Sequence, residues 1–229
     1  SYLQKNEALL QQRQAICRER LLRQYPSTPE LVQKLTGGQA AEVLWNRNAR
    51  AEDFTTVRLG LGRMDISSMI RTPAVRFSIR SDELEEQPAK LKADYQTILQ
   101  IPSLLCIGQH KLTGIIGEQA RVQEVVRNIV LQLAMLHSYT DVRLIGLFRE
   151  GEQELFSWLR WLPHVFSPDK SHRLLACSEA DYQAVLSYLL DVLRARDSRD
   201  ALQSGEAPLP VYVVLCTDPK ILYNHAVYR

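Results

Sequence analysis

Apolar side chains return every seven residues at the start of the chain, at Leu3, Leu10 and Cys17, with Tyr2, Leu9 and Ile16 beside them. Lys5, Arg13, Arg18, Arg20 and Arg23 fall at other positions. This spacing predicts an amphipathic helix over residues 1–24 with one apolar stripe, which can pair with another helix or dock on its own domain. Ser27, Thr28, Pro29 and Glu30 follow with the S-x-x-E spacing of a capping box and a proline in the first turn. A second, short helix is therefore expected to start there and to stop near Gly37 and Gly38.

From Phe54 the period falls to two. FTTVRLGLG (54–62) and PAVRFSIR (73–80) read as two strands flanking a main sheet. DELEEQPAKLKADYQTILQ (82–100) reads as a helix whose acidic first turn and later lysines suit the macrodipole, with Pro88 near its start. After Ile101, apolar runs and amphipathic stretches alternate: strand SLLCIG with KLTGIIG, helix 118–136, strand DVRLIGLF, a helix around ELFSWLRWL, strand HRLLACS, helix 179–196 and strand LPVYVVLCTD. Alternation of this kind builds a parallel sheet covered on both faces. The expected fold class is α/β, a doubly wound and mostly parallel sheet with helices on both faces over residues 51–229, preceded by a helical segment over residues 1–50.

Composition adds little and excludes several classes. With 229 residues, 45% hydrophobic and 24% charged, the chain can bury a core of ordinary size, and ten Gly and ten Pro leave no low-complexity tract. A formal charge of +2 is too small to imply a nucleic-acid or membrane-surface partner, which needs positive charge gathered on one face. Cys17, Cys106, Cys177 and Cys216 are scattered, with no CxxC pair, so neither a zinc site nor a disulfide framework is expected and a reducing compartment fits best. No run of about 18 apolar residues occurs, and the polar N-terminus lacks signal-peptide character.

The chemistry of greatest interest lies in TGIIGEQARVQEVVRNIVLQLA, residues 113–134, where an apolar run and a glycine lead into a helix. A phosphate-binding loop needs a strand, a turn whose N–H groups converge, and a helix N-terminus aimed at the anion. Its full pattern is G-x-x-x-x-G-K-[ST]. Aligned on Gly117, this chain reads Gly117, Glu118, Gln119, Ala120, Arg121, Val122, Gln123, Glu124. Val122 stands for the second glycine, Gln123 for the lysine and Glu124 for the magnesium-binding hydroxyl. A charge pair about 4 Å apart contributes about 4 kcal/mol at an effective dielectric near 20, so these replacements weaken triphosphate binding by orders of magnitude. Arg121 compensates only in part, and Glu118 can itself satisfy the helix dipole.

A nucleotide hydrolase also needs an acid at the end of a later apolar strand. VYVVLCTDPK ends in Thr217 and Asp218, one hydroxyl and one acid where a working site presents two acids. Asp218 before Pro219 equally suits a chain turn. The bland reading of the glycine is a tight strand-to-helix turn, with Val122, Val125, Val126, Ile129 and Leu133 packing the helix on the sheet. Glycine spacing excludes a dinucleotide fingerprint, since Gly114 and Gly117 are three apart. His110, His137, His164, His172 and His225 are isolated in sequence, and no nucleophile elbow is present. RARDSRD (194–200) marks a solvated helix end, and Trp158, Trp161 and Phe166 are expected to pack helix against sheet more readily than to anchor a partner.

LWNRNARAEDFTTVRLGLG (44–62), the degenerate stretch from Thr113 to Phe148, WLRWLPHVFSPD (158–169) and VYVVLCTDPKIL (211–222) arrive together and in order. In these segments the chain resembles the membrane-proximal cytosolic domain of the EssC/EccC proteins, the FtsK/SpoIIIE-type motor ATPases of type VII secretion systems. The resemblance covers nearly the whole chain. It implies a P-loop NTPase-like, degenerate α/β fold at 51–229 and a juxtamembrane stalk and linker at 1–50, on the cytoplasmic side of a bacterial cell membrane. It implies a pseudo-ATPase that couples the membrane segment to downstream FtsK-type ATPase domains, with no catalytic residues and no metal. Its partners would be copies of itself, other domains of the same ATPase and other secretion components, with no nucleic acid. The loop Gly117, Glu118, Gln119, Ala120, Arg121, Val122 and Gln123 with Asp218 would be what remains of the nucleotide site, retaining at most weak contact with ATP and Mg. The alternative is a divergent active ATPase in which Arg121 replaces the lysine and Asp218 holds the metal.

Overall fold

The computed structural model describes residues 2–72, 83–110, 112–200 and 210–223. In chain order the helices are α1 (Tyr2–Gln24), α2 (Thr28–Thr36), α3 (Ala40–Val43), α4 (Glu83–Tyr95), α5 (Gln119–Leu136), α6 (Glu179–Asp200) and α7 (Lys220–Tyr223). The strands are β1 (Thr56–Asp65), β2 (Thr97–Cys106), β3 (Val142–Leu147), β4 (Leu175–Ala176) and β5 (Val211–Cys216). The protein is thus mixed α/β. It divides into two compact units, the first made of Ser1–Gln33 and Thr56–Thr113, the second of Lys34–Thr55 and Gly114–Arg229.

Unit 1 is built on an antiparallel ribbon. β1 and β2 pair from Thr56↔Cys106 to Asp65↔Thr97, with register shifts between Arg58 and Gly60 and between Gly62 and Arg63. Opposite the second shift Gln100 takes φ 56, the left-handed backbone that an inserted residue adopts in a bulge. Two strands alone are marginal in water, and α1 supplies the missing cover. Cys17 and Leu21 pack on Ile66, Ile98 and Ile101, while Arg18 donates to the Leu99 carbonyl at 3.0 Å. Gln11 and Gln14 of α1 donate to Tyr95, to its hydroxyl at 2.6 Å and its carbonyl at 2.7 Å. The apolar stripe of α1 therefore docks on its own unit along Cys17, whereas Leu9 and Ile16 stay exposed.

The capping box is present as expected. The Ser27 amide donates to the Glu30 carboxylate at 2.6 Å, and the Glu30 amide reaches back to the Ser27 hydroxyl at 3.5 Å. The helix expected over 82–100 stops at Tyr95, because Thr97 and Ile98 are β-branched and Ile98, 2% exposed, is drawn into the ribbon core opposite Met64. The strand expected at PAVRFSIR lies outside the described residues.

Unit 2 carries a three-stranded parallel sheet in the order β4-β3-β5. β3 is central and all six of its residues are buried, so both of its faces are covered. Ile145 and Leu147 meet Tyr182, Val185, Leu186 and Leu189 of α6. α5 buries Ile129, Val130, Leu133 and the turn that follows, while Val122, Val125 and Val126 are half-buried. The orphan carbonyls at its C-terminus are met by Trp45 and Arg47, whose amides donate to Met135 at 2.8 Å and Leu136 at 3.0 Å.

Several sequence expectations change here. HRLLACS contributes only the two-residue β4, and ELFSWLRWL winds as a 3₁₀ helix over Gln153–Trp161. Of its aromatics, Phe156 is buried but Trp161 points to solvent, 81% exposed. KLTGIIG is no strand: Leu112–Gly117 joins no ladder and bends at Gly117, and Ile116 is fully exposed. The strand before it, β2, belongs to the antiparallel ribbon and not to the parallel sheet.

Candidate functional site

The segment leading into α5 is exposed from Leu112 to Arg121. Glu118 occupies the N-cap position in extended backbone, φ −60 and ψ 137, and its side chain makes no capping hydrogen bond. Gln119 and Ala120 open the helix. The first helical hydrogen bond runs from the Val122 amide to the Glu118 carbonyl at 2.9 Å, and the Val122 methyl sits 3.7 Å from where a Cβ on Gly117 would lie. Gly117 thus faces an ordinary apolar contact and keeps a negative φ, so the turn itself does not demand glycine. Arg121 pairs with Glu124 at 3.8 Å along the helix, both side chains exposed. Gln123 is half-buried one residue before Glu124.

Asp218 and Thr217 stand at the carboxyl end of β5 and are occupied in joining it to β3. The Thr217 amide donates to Leu147 at 3.1 Å, and its hydroxyl accepts from the Arg149 amide at 3.0 Å. The Arg149 guanidinium donates to the Thr217 carbonyl at 3.3 Å and lies 3.6 Å from the Asp218 carboxylate. That carboxylate also accepts from the Lys220 amide at 3.0 Å and starts α7. Asp218 therefore turns the chain. Among the described residues no hydrogen bond or ion pair joins Asp218 to 113–124. Arg149 is the member of this group that the sequence did not single out, because its partners lie 68 residues away.

The histidines, isolated in sequence, partly converge in the core of unit 2. His164 Nε2 lies 2.9 Å from the His137 carbonyl and donates to it. His137 Nδ1 faces the Leu133 carbonyl at 3.2 Å, and its Nε2 accepts the Thr55 amide at 3.0 Å. These partners require the neutral ring with its proton on Nδ1. Burial lowers the His137 pKa from its ordinary 6.5 to about 4, with the Leu133 carbonyl opposing, and burial lowers that of His164 too. Among the described residues no hydrogen bond joins either ring to a carboxylate or to a nucleophile. Among the described residues, no group of three His, Cys, Asp or Glu side chains is placed to hold a metal ion, and no helix is long and apolar enough to cross a membrane.

Fold and site define a mixed α/β protein whose parallel sheet is followed at β5 by a threonine and an acid, and whose α5 follows Gly117 and opens with Arg121 paired to Glu124. No family model matches the chain. Among curated proteins it is 27% identical over 185 residues to the ESX secretion system protein EccC of Geobacillus thermodenitrificans, covering 80% of this chain and 12% of that protein. It is 23% identical over 204 residues to the ESX secretion system protein YukB of Bacillus subtilis, covering 89% and 13%. It is 24% identical over 207 residues to the type VII secretion system protein EssC of Staphylococcus aureus, covering 89% and 14%. The chain is thus similar, over 80–89% of its length, to EssC/EccC proteins of type VII secretion systems. It spans only 12–14% of the length of these relatives.

Proposed function

We propose that this chain is the membrane-proximal, non-hydrolysing domain of an EssC-like secretion motor, a degenerate P-loop-type unit that passes conformational change between a membrane segment and downstream FtsK-type ATPase domains. In this reading it lies on the cytoplasmic side of a bacterial cell membrane. Residues 1–50 lead in from the membrane, residues 51–229 form the ATPase-like part, and the partners are copies of the chain and other secretion components.

One observation carries the reading: the positions that would hold phosphate and metal are filled by Val122, Gln123 and Glu124, and the cation within 117–124, Arg121, lies 3.8 Å from the Glu124 carboxylate. A carboxylate in place of the hydroxyl repels the phosphate it would have to approach. Asp218 and Thr217 are likewise engaged with Arg149 and with the start of α7. The test is calorimetric titration of the purified chain with Mg-ATP, alongside a phosphate-release assay. No saturable binding and no release above that of an Asp218→Ala variant are expected. Micromolar binding that disappears in Arg121→Ala would instead establish the divergent ATPase.

A further inference from the structure

On the β4 side of β3, away from β5 and Asp218, the carboxyl ends of the parallel strands open into a cleft of about 210 Å³. The buried floor is made by Phe148 and Phe156, stacked with centroids 4.2 Å apart and planes 4° from parallel, next to Leu175. The exposed side chains lining it include Arg160 and Arg173, with Cys177 half-buried beside them.

The cleft is built at the expense of its own strand. A Cβ on Gly146 would lie 2.5 Å from the Phe148 ring and 2.8 Å from Leu175. Glycine is a poor residue for a central strand, and its presence there marks a close approach. Here it admits the Phe148 ring to the floor, and the Tyr182 hydroxyl holds the Phe148 carbonyl from the other side.

The guanidiniums are uncompensated. Arg160 donates through Nε to the Ser157 carbonyl at 2.7 Å, and Arg173 lies over the Phe166 ring at 5.2 Å. Among the described residues neither meets a carboxylate within ion-pair distance. Two cations lining one concavity above an apolar floor match an oxyanion attached to an apolar body, since the planar guanidinium fork pairs with carboxylate or phosphate through two parallel hydrogen bonds. The volume lies below the roughly 300–1,000 Å³ of drug-sized sites, so the ligand is compact, about one ring and one acidic group.

We propose that this cleft binds a small anion with an apolar or aromatic body, a carboxylate or a phosphate ester, its acidic group held by Arg160 and Arg173 and its body seated on Phe148 and Phe156. The proposal does not depend on the Gly117 loop or on the secretion role. Four probes test it on the intact chain: phenyl phosphate, benzoate, inorganic phosphate and benzyl alcohol. Binding is read by titration and by protection of Cys177 from iodoacetamide, followed by peptide mass, with Cys17 in unit 1 as the control. At least one aryl anion is expected to bind with a dissociation constant of about 1 mM or tighter and to protect Cys177 but not Cys17. Benzyl alcohol should bind at least ~10-fold more weakly, and Arg160→Gln and Arg173→Gln should each cost about 10-fold, with unchanged circular dichroism. Preference between phenyl phosphate and benzoate identifies the acid. The proposal is overturned by absence of Cys177 protection, by equal protection of Cys17, by inorganic phosphate binding as tightly as the aryl anions, or by affinity unchanged in the arginine variants.

Discussion

Acidification should destabilise unit 2 through His137 well before its carboxylates are protonated. The neutral ring accepts the Thr55 amide and faces the Leu133 carbonyl in a fully buried site, so a proton on Nε2 both loses the Thr55 bond and buries a charge. A pKa lowered from 6.5 to about 4 corresponds to roughly 3 kcal/mol of linked stability. The sign follows from proton counts: between these values the unfolded chain binds the proton and the folded chain does not. The contribution is therefore complete above pH 6.5 and is lost as pH falls towards 4. Urea unfolding of the chain and of His137→Gln, each from pH 7.5 to 4.5, measures it. The glutamine carbonyl can still accept the Thr55 amide but does not titrate. The wild-type unfolding free energy should fall with pH more steeply than the variant's, by about 2–3 kcal/mol over the range. Two parallel curves, or a His137 ring whose carbon shift titrates near 6.5 in the folded protein, would refute the reasoning.

Gly146→Ala should lower stability by about 1–3 kcal/mol, seen as a lower melting temperature in calorimetry, because the new methyl meets Phe148 and Leu175 inside 3 Å. Ser27→Ala removes the hydroxyl that caps α2 and should cost about 1 kcal/mol in chemical unfolding. Arg149→Ala, by contrast, should change stability by less than about 1 kcal/mol in the same assay, since its pair with Asp218 is largely exposed.

What could be read along the chain was what the chain expresses locally. α1, α2, α5 and α6 carry a helical period or a capping box over many residues, and β1, β3 and β5 carry β-branched runs. The end of α4 is not legible locally, because Thr97 to Gln100 continue a plausible helix face and only pairing with β1, more than thirty residues earlier, makes them a strand. KLTGIIG reads as a strand because it is apolar, yet Leu112 and Ile116 are among the most exposed large hydrophobic residues described. At the candidate site, Asp218 could be placed after an apolar strand, whereas its engagement with Arg149 rests on a contact across the sheet. The bond between Thr55 and His137 spans 82 residues and leaves no periodic trace. Nor does any short motif announce Arg160 and Arg173 lining one cleft.

Because unit 1 draws on 1–33 and 56–113, and unit 2 on 34–55 and 114–229, the polypeptide passes from one to the other three times. During synthesis α1 leaves the ribosome with its packing partners unmade, since Tyr95 follows Gln11 by 84 residues. Its Cys17 and Leu21 stay wet until β2 has emerged, and the strip around Trp45 waits longer, for the end of α5. Neither half can be freed by a single proteolytic cut without stripping the other of a piece it needs, so nicking near residue 50 should leave the fragments associated.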